Sequence, residues 1–255
     1  MDLFTQFALV AVAGFFAGGV NTVAGGGTLL AYPALLACGL PPVTANVTSL
    51  IGLTPGYVGG AWAYRSEVID QRRRLPILGI ATVVGAVLGA VILLTTPGKV
   101  FQTVIPYLVL FSSVLLLAQP WLRRKFAPAP GEAGASHGAS GAAIGSVFVG
   151  SVYGSYFSAG VGVLLLACLG ATIREDFQKI NGLKNGLSLL IIAAGVVIYA
   201  FSDQVSWLFV AVLLPASGVG GVVGGMLAKK LNGDVLRYAV CVLGLALAVV
   251  LFVIG

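Results

Sequence analysis

Apolar runs of about 20 residues recur along the whole chain, and they limit the possible folds more than any other feature. A helix needs about 20 apolar residues to cross the hydrocarbon core of a bilayer. Only 9% of the 255 residues are charged, whereas a soluble domain carries roughly 25%. The sequence therefore predicts an all-α integral membrane protein. The predicted spans are 4–24, 44–64, 75–95, 101–119, 142–159, 179–201, 205–228 and 234–254, with shorter apolar pieces at 27–38 and 161–171.

A segment rich in Ala, Pro, Gly and Ser, RRKFAPAPGEAGASHGASGAA, separates two apolar halves. This composition is typical of a solvated, flexible linker. We therefore divide the chain into a first transmembrane repeat at 1–120, a cytoplasmic linker at 121–141 and a second transmembrane repeat at 142–255. The only histidine, His137, falls in the linker, and the three cysteines lack metal-binding spacing. We expect no metal site and no cofactor.

The two halves match each other at an offset of 135 residues. Single matches of glycine or leucine are common in such a chain. The evidence for a repeat is that several spaced glycines and one asparagine match at the same offset. The pattern predicts an internal duplication. The matched pairs include Gly25/Gly160, Gly27/Gly162, Leu29/Leu164, Leu30/Leu165, Asn46/Asn181, Leu78/Leu213, Gly85/Gly220, Gly89/Gly224, Gly98/Gly233 and Val100/Val235.

Basic residues concentrate at 65–74, 121–125, 174–179 and 229–237, while the other connections hold only Lys99. Cytoplasmic loops are enriched in Lys and Arg, so we expect the four basic segments inside. Equivalent helices then run in opposite directions. The expected fold is two inverted repeats of about five segments each, a glycine-broken helical hairpin plus three transmembrane helices. The prediction places the protein in the inner membrane with both termini on the outer side. The net charge of +6 then reflects the basic cytoplasmic loops, and we expect no nucleic-acid partner.

Glycine-rich breaks interrupt both halves, AGGGT in the first and SAGVG in the second. Inverted-repeat transporters hold their substrate near the midplane, where broken helices point their ends at it. A helix start offers free N–H groups and a positive dipole end to an anion. The alternative is close helix packing through small residues. We predict an anion site that uses residues of both breaks, namely Gly25, Gly26, Gly27, Thr28, Ser158, Gly160 and Gly162.

Polar residues near the breaks form a second group of candidates. Lys184 is the one basic residue that falls in no predicted loop, about five residues or roughly 8 Å inside its helix. Ionisable residues inside a membrane are costly and usually functional, although a lysine at this depth can also extend to the interface. Hydroxyls and amides suit oxyanion binding, or they satisfy helix backbone. The further candidates are Asn21, Asn46, Thr48, Ser49, Tyr153, Asn181 and Asn185.

Every carboxylate falls in a terminus, a loop or a helix end. A cation transporter or a carboxylate proton relay needs one within the membrane, so both are disfavoured. Protons, if they couple to transport, would travel on the substrate or through Lys184 or a tyrosine. No lysine follows the glycines as a phosphate-binding loop requires. We find no His cluster, carboxylate pair or Ser/His set at membrane depth, so we expect no enzyme.

The sequence of the first break, GFFAGGVNTVAGGGTLLAYPALLACGLPPVTANVTSL, resembles the first signature of the sulfite exporter TauE/SafE family, also called the toluenesulfonate uptake permease family. The shared pattern includes Pro33 after the glycines and the Ala-x-x-Thr-Ser segment at 45–49. The second break resembles the family's second copy, with Gly-x-Gly and Asn-x-x-Lys. The resemblance implies a transporter of sulfur-containing oxyanions such as sulfite or sulfonates. A passive anion channel, a carrier of another small organic anion and a non-transporting scaffold subunit remain the alternatives.

Overall fold

The computed structural model describes residues 1–23, 26–125, 140–227 and 233–254, and within these ranges all regular structure is helical. The all-α prediction is confirmed for them. The twelve helices are α1 (Leu3–Val23), α2 (Thr28–Ala37), α3 (Pro42–Gly52), α4 (Thr54–Ala63), α5 (Arg65–Asp70), α6 (Leu75–Thr95), α7 (Gly98–Lys125), α8 (Gly141–Tyr156), α9 (Val161–Thr172), α10 (Phe177–Tyr199), α11 (Trp207–Leu227) and α12 (Gly233–Ile254).

Five of the eight predicted spans form helices that are long and apolar enough to cross a membrane: Leu3–Thr22, Leu75–Thr95, Gly98–Leu122, Phe177–Tyr199 and Trp207–Gly224. Many large apolar side chains on these helices point outward, Ile80 and Val222 among them. Such a surface suits lipid rather than water. The prediction of a multi-pass membrane protein is confirmed at this level. The predicted spans 142–159 and 234–254 correspond to α8, which is 16 residues long, and to α12.

The prediction of one continuous helix over 44–64 is wrong, because the chain forms two helices there, α3 and α4, and α5 follows from Arg65. Leu53 joins the first two with φ −92° and ψ 2°, and Pro55 lies in the first turn of α4. Proline lacks the N–H that would continue a helix. The Ser217 hydroxyl donates to the freed carbonyl of Gly52 at 2.6 Å, as a break inside a membrane requires. The first half therefore has seven helices and the second five.

Both glycine breaks end a long helix, as predicted. The first separates α1 from α2 and the second separates α8 from α9. Gly160 caps α9 in the left-handed region, with φ +73°, a conformation that only glycine adopts readily. Gly25 lies outside the described residues.

The two most extensive helix interfaces join the halves: α1 packs against α11, and α6 packs against α8. A Cβ added at Gly220 would overlap the carbonyl oxygen of Phe15, and one at Gly89 would overlap that of Val152. Contacts advance together along each pair, from Gly14 opposite Leu213 to Gly19 opposite Gly224, and the helices are therefore parallel. Small residues bring these backbones into direct contact.

Helix α10 runs antiparallel to the segment of the first half that consists of α3, α4 and α5. Its residue Gly195 approaches Leu50 in α3, Asn185 approaches Gly60 in α4, and Gly182 meets Glu67 in α5. The start of α10 and the basic connection 65–74 therefore lie on one side of the molecule. This placement agrees with the prediction that they share a side of the membrane.

Helix α7 continues to Lys125, beyond the predicted start of the linker at residue 121, and Ser140 caps the start of α8. Residues 126–139, which include His137, lie outside the described residues. The division into two repeats and a linker stays a prediction.

Candidate anion site between the two helix breaks

The two glycine breaks meet in the interior. The hydroxyls of Thr28, at the start of α2, and Ser158, just before α9, lie 2.9 Å apart and form a hydrogen bond. Both residues are 1% exposed. A single contact across 130 residues therefore joins the predicted site residues of the two halves.

The second break is held in place by hydroxyls of two other helices. The carbonyl oxygen of Ala159 accepts hydrogen bonds from Ser112 in α7 at 3.0 Å and from Tyr153 in α8 at 2.8 Å. The two hydroxyls are 2.6 Å apart. Gly160 packs against the backbone of Ser112. Tyr153 therefore fixes the loop that carries Ser158, and Ser112, which sequence reasoning missed, acts with it.

Asn46 also supports the second break. Its Nδ2 donates to the carbonyl of Tyr156 at 2.9 Å, while Tyr199 Oη donates to the carbonyl of Ser155 at 2.7 Å. The last carbonyls of a helix have no partner within that helix, and these two side chains supply donors at the end of α8. The buried side chains of Thr48 and Ser49 form hydrogen bonds with backbone groups. Thr48 Oγ1 accepts a hydrogen bond from the N–H of Ser206, and Ser49 Oγ donates one to the carbonyl of Asn46.

The side chain of Lys184 lies beside the start of α9. A Cβ placed on Gly162 would be 3.9 Å from Lys184 Nζ. Lys184 is half-buried, about seven residues or roughly 10 Å inside α10. Neither ion pair found among the described residues involves Lys184, and none of the hydrogen bonds described there reaches its ammonium. Among the residues that the structure describes, the charge therefore faces the break without a counter-charge.

The backbone N–H of Gly162 belongs to the same region. In the first turn of α9, Val161, Val163 and Leu164 donate to the carbonyls of Ser158 and Gly160. Within the described ranges no acceptor bonds the N–H of Gly162. A free N–H at a helix start, next to an ammonium group, is a combination that binds anions.

Ser188 lies one turn beyond Lys184 on the same face of α10. That face meets Gly162 at Lys184 and Gly154 at Ile191, so Ser188 lies between these contacts and faces the second break. It is 3% exposed, and its hydroxyl has no partner among the described residues. Sequence reasoning missed this residue, because a serine inside a helix usually bonds the carbonyl one turn earlier.

The first half contributes a second group around Thr28. The Tyr57 hydroxyl neighbours the side chains of Thr28 and Asn21. A Cβ on Gly56 would lie 3.2 Å from Asn21 Nδ2, and this buried nitrogen lacks a partner in the part of the chain described. Tyr57 was missed as well. Its signal in the sequence is the Thr-Pro-Gly that precedes it and starts a new helix.

The remaining candidates occupy the edges of this region. Asn185 faces Gly60, whose added Cβ would lie 3.4 Å from Asn185 Oδ1, and Asn181 is half-buried one turn before Lys184. Gly27 packs against the backbone of Ala17, and Gly26 faces Leu116 of α7. We call the group around the two breaks the central cluster; its members are Asn21, Thr28, Tyr57, Ser158, Gly162, Lys184 and Ser188.

A separate basic cleft of about 560 Å³ lies where the connection between α5 and α6 meets the start of α10. Arg74 is 4% exposed and forms an ion pair with Glu175 at 2.9 Å. The same guanidinium donates to Gln71 at 2.8 Å. Lys179 approaches Glu175 at 3.7 Å with a side chain that is 43% exposed. The buried charge of this cleft is therefore neutralised within the protein.

Comparison with known proteins agrees with these features. The sequence profile of the sulfite exporter TauE/SafE family matches residues 10–251, nearly the whole chain and both breaks. The chain belongs to this TauE/SafE family. No solved structure matches it. Among the described residues, no group of three His, Cys, Asp or Glu side chains is placed to hold a metal ion.

Curated relatives of this TauE/SafE protein carry transporter names. The chain is 22% identical to a probable membrane transporter protein of Haemophilus influenzae over 240 residues, 92% of this chain and 90% of the relative. It is 35% identical to the probable membrane transporter protein ORF9 of Sinorhizobium over 109 residues. It is 30% identical to the probable membrane transporter protein YfcA of Escherichia coli over 110 residues. The chain spans about two fifths of the last two relatives, 41% and 39% of their lengths. Family and relatives together support a membrane transporter.

Proposed function

We propose that this protein is a secondary transporter of small sulfur-containing oxyanions such as sulfite or organosulfonates. The observation that carries the proposal is the ammonium of Lys184, which lies beside the free N–H of Gly162 without a counter-charge among the described residues. An uncompensated charge at membrane depth is expensive, and a bound anion would neutralise it. Thr28, Ser158 and Ser188 would add hydroxyl donors. The family name favours sulfur among the possible oxyanions.

We further propose that the halves are inverted repeats. The pairs Gly85/Gly89 and Gly220/Gly224, equivalent at the offset of 135, both lie in interfaces between halves. Helix α6 runs parallel to α8 and α11 runs parallel to α1, as an inverted arrangement requires. Because these interfaces bring backbones into contact, we expect α1 with α11 and α6 with α8 to move as rigid pairs. The duplicated sequence suggests alternating access by rocking of one repeat on the other, whereas these rigid pairs favour the movement of units that each combine helices of both halves.

A binding measurement tests the site. Purified protein is titrated with methanesulfonate, sulfite, sulfate and thiosulfate while its thermal unfolding is followed. We expect stabilisation of the wild type and its loss in Lys184→Ala. The matched control is Lys179→Ala, which removes the same charge from the same helix in a half-exposed position. Binding that survives in Lys184→Ala, or the absence of anion binding by the wild type, would reject the site.

Flux measurements in proteoliposomes separate a transporter from a passive channel. A transporter shows saturating uptake that is accelerated by substrate on the opposite side, whereas a channel shows a large single-channel current and no counterflow. A pH gradient applied in the same vesicles tests whether protons couple to transport.

Cysteine labelling tests the proposed orientation in the inner membrane. The native Cys38, Cys168 and Cys241 are first replaced, and a single cysteine is placed at Arg73 in the basic connection. We expect labelling only after the cytoplasmic side is opened to a membrane-impermeant reagent. Labelling in intact cells would contradict the predicted topology, in which the linker is cytoplasmic and both termini are outside.

A further inference from the structure

The central cluster contains one positive charge. Among the described basic side chains, Lys184 alone lies inside a membrane-spanning helix, because the others occupy connections or the ends of helices. Arg74 is buried, but Glu175 neutralises it. The described carboxylates, Asp2, Glu67, Asp70, Glu175, Asp176 and Asp203, also lie outside the spans or at their ends.

The groups that face Lys184 are neutral. Helix α9 presents Gly162, α4 presents Gly60 to the neighbouring Asn185, and α5 lies on the other side of α10, at Gly182 and Gly186. Residues two apart in a helix point about 200° apart, so Lys184 points away from Glu67, which meets Gly182. No second charge reaches the ammonium from the described residues of these elements.

The other polar groups are suited to hydrogen bonding without adding charge. Ser188 Oγ and Asn21 Nδ2 are buried and unpartnered in the described part of the chain. Thr28 and Ser158 share one hydrogen bond, in which either hydroxyl can be the donor. Together with the N–H of Gly162 they supply the uncharged polar groups of the central cluster.

Charge balance then limits the ligand. One ammonium neutralises a singly charged anion, whereas a dianion would leave a net negative charge inside the membrane-spanning region. An unpaired charge in such a region is disfavoured. We infer that the central cluster selects singly charged sulfur oxyanions, an alkylsulfonate or hydrogen sulfite, over dianions such as sulfate and fully ionised sulfite. This inference rests on the proposed function and specifies its substrate class.

The experiment compares anions at constant ionic strength, one pH unit below and one above the second ionisation of sulfite. Methanesulfonate keeps a single charge at both pH values, so any change in its affinity between them would come from titration of the protein itself. We expect its affinity to stay level, while the apparent affinity for sulfite falls roughly tenfold with the fraction of hydrogen sulfite. Sulfate should bind more than tenfold more weakly than methanesulfonate at both values.

An added charge gives a second, independent readout. Asn181 lies one turn before Lys184 on the same face of α10. In Asn181→Lys we expect the ratio of sulfate to methanesulfonate affinity to rise at least tenfold, and in the control Asn181→Gln to stay level. Sulfate binding as tight as methanesulfonate by the wild type, or sulfite affinity that follows methanesulfonate across pH, would overturn the inference and leave the proposed anion site standing. Absence of binding by every anion would reject both.

Discussion

Two basic residues of this protein, the buried Arg74 and the half-buried Lys184, have opposite surroundings. Arg74 bonds a carboxylate and an amide within the basic cleft, at 2.9 and 2.8 Å. Lys184 lies beside Gly162 in the central cluster, and the N–H of Gly162 has no acceptor among the described residues. A buried charge that is paired inside the protein contributes to structure, whereas one that lacks a partner is poised to bind an ion from outside. We therefore expect substitutions around Arg74 to lower the stability of the protein, and substitutions at Lys184 to lower its affinity for anions.

The largest expected effect is on stability, at Glu175. In Glu175→Gln the guanidinium of Arg74 stays buried without its carboxylate, which costs about 3–5 kcal/mol of unfolding free energy. The measurement is unfolding in detergent without anion. The control Asp176→Asn changes the adjacent exposed carboxylate and keeps a side chain able to cap α10. If Glu175→Gln unfolds at the same temperature as the wild type, the ion pair does not stabilise the fold, and Arg74 has no structural role that distinguishes it from Lys184.

Removal of the charge at Lys184 should instead leave stability unchanged or higher and weaken anion binding. Lys184→Met removes a charge that has no protein partner in the described residues, so the ligand-free protein should be as stable as the wild type or more stable. The loss of a charge-assisted bond of about 1.5–3 kcal/mol should weaken methanesulfonate binding about ten- to a hundredfold. A strong loss of stability without any loss of affinity would assign Lys184 to the structure instead.

A smaller effect is expected at Ser188, where only a neutral donor is lost. Ser188→Ala should weaken methanesulfonate binding by about 0.5–1.5 kcal/mol, and the fold should remain intact because the hydroxyl has no partner among the described residues. Ser151→Ala is the control, since that buried hydroxyl donates to the carbonyl of Val147 in its own helix. Isothermal titration measures both. Equal affinities for the two variants would remove Ser188 from the site.

The smallest effect is expected at Lys179. Its contact with Glu175, which lies just before α10, spans 3.7 Å and is 43% exposed on the lysine side. Partly exposed ion pairs of this kind contribute about 0.2–1 kcal/mol. Lys179→Ala should therefore shift thermal unfolding slightly and leave anion affinity unchanged. A large drop in stability would show that the acidic partner depends on Lys179 as much as on Arg74.

Local features of the fold could be predicted from the sequence, and features that depend on packing could not. Long apolar runs and the two glycine breaks are local properties, so most spans and both breaks were predicted. The break at Leu53 was missed because it lies inside an apolar run, where hydropathy does not register Pro55.

The same division holds for the candidate site. Lys184 stood out as a charge within an apolar run, and Thr28 and Ser158 as polar residues at the breaks. The bond of Asn46 to Tyr156 spans 110 residues and has no signature in the sequence. In the sequence, Ser188 and Tyr57 look like ordinary helix residues. Only the packing of the described helices shows that the Ser188 hydroxyl has no partner among them and that Tyr57 approaches Asn21.

The glycine contacts between α6 and α8, and between α11 and α1, also bear on how the protein is made. A ribosome delivers α1 and α6 to the membrane before their partners exist. The small-residue surface of α6 around Gly85 and Gly89 then borders lipid until α8 is inserted, and α1 waits until α11. The first half therefore reaches its final packing only when the second half is inserted, and a chain truncated at the linker would leave the small-residue surfaces of α1 and α6 facing lipid.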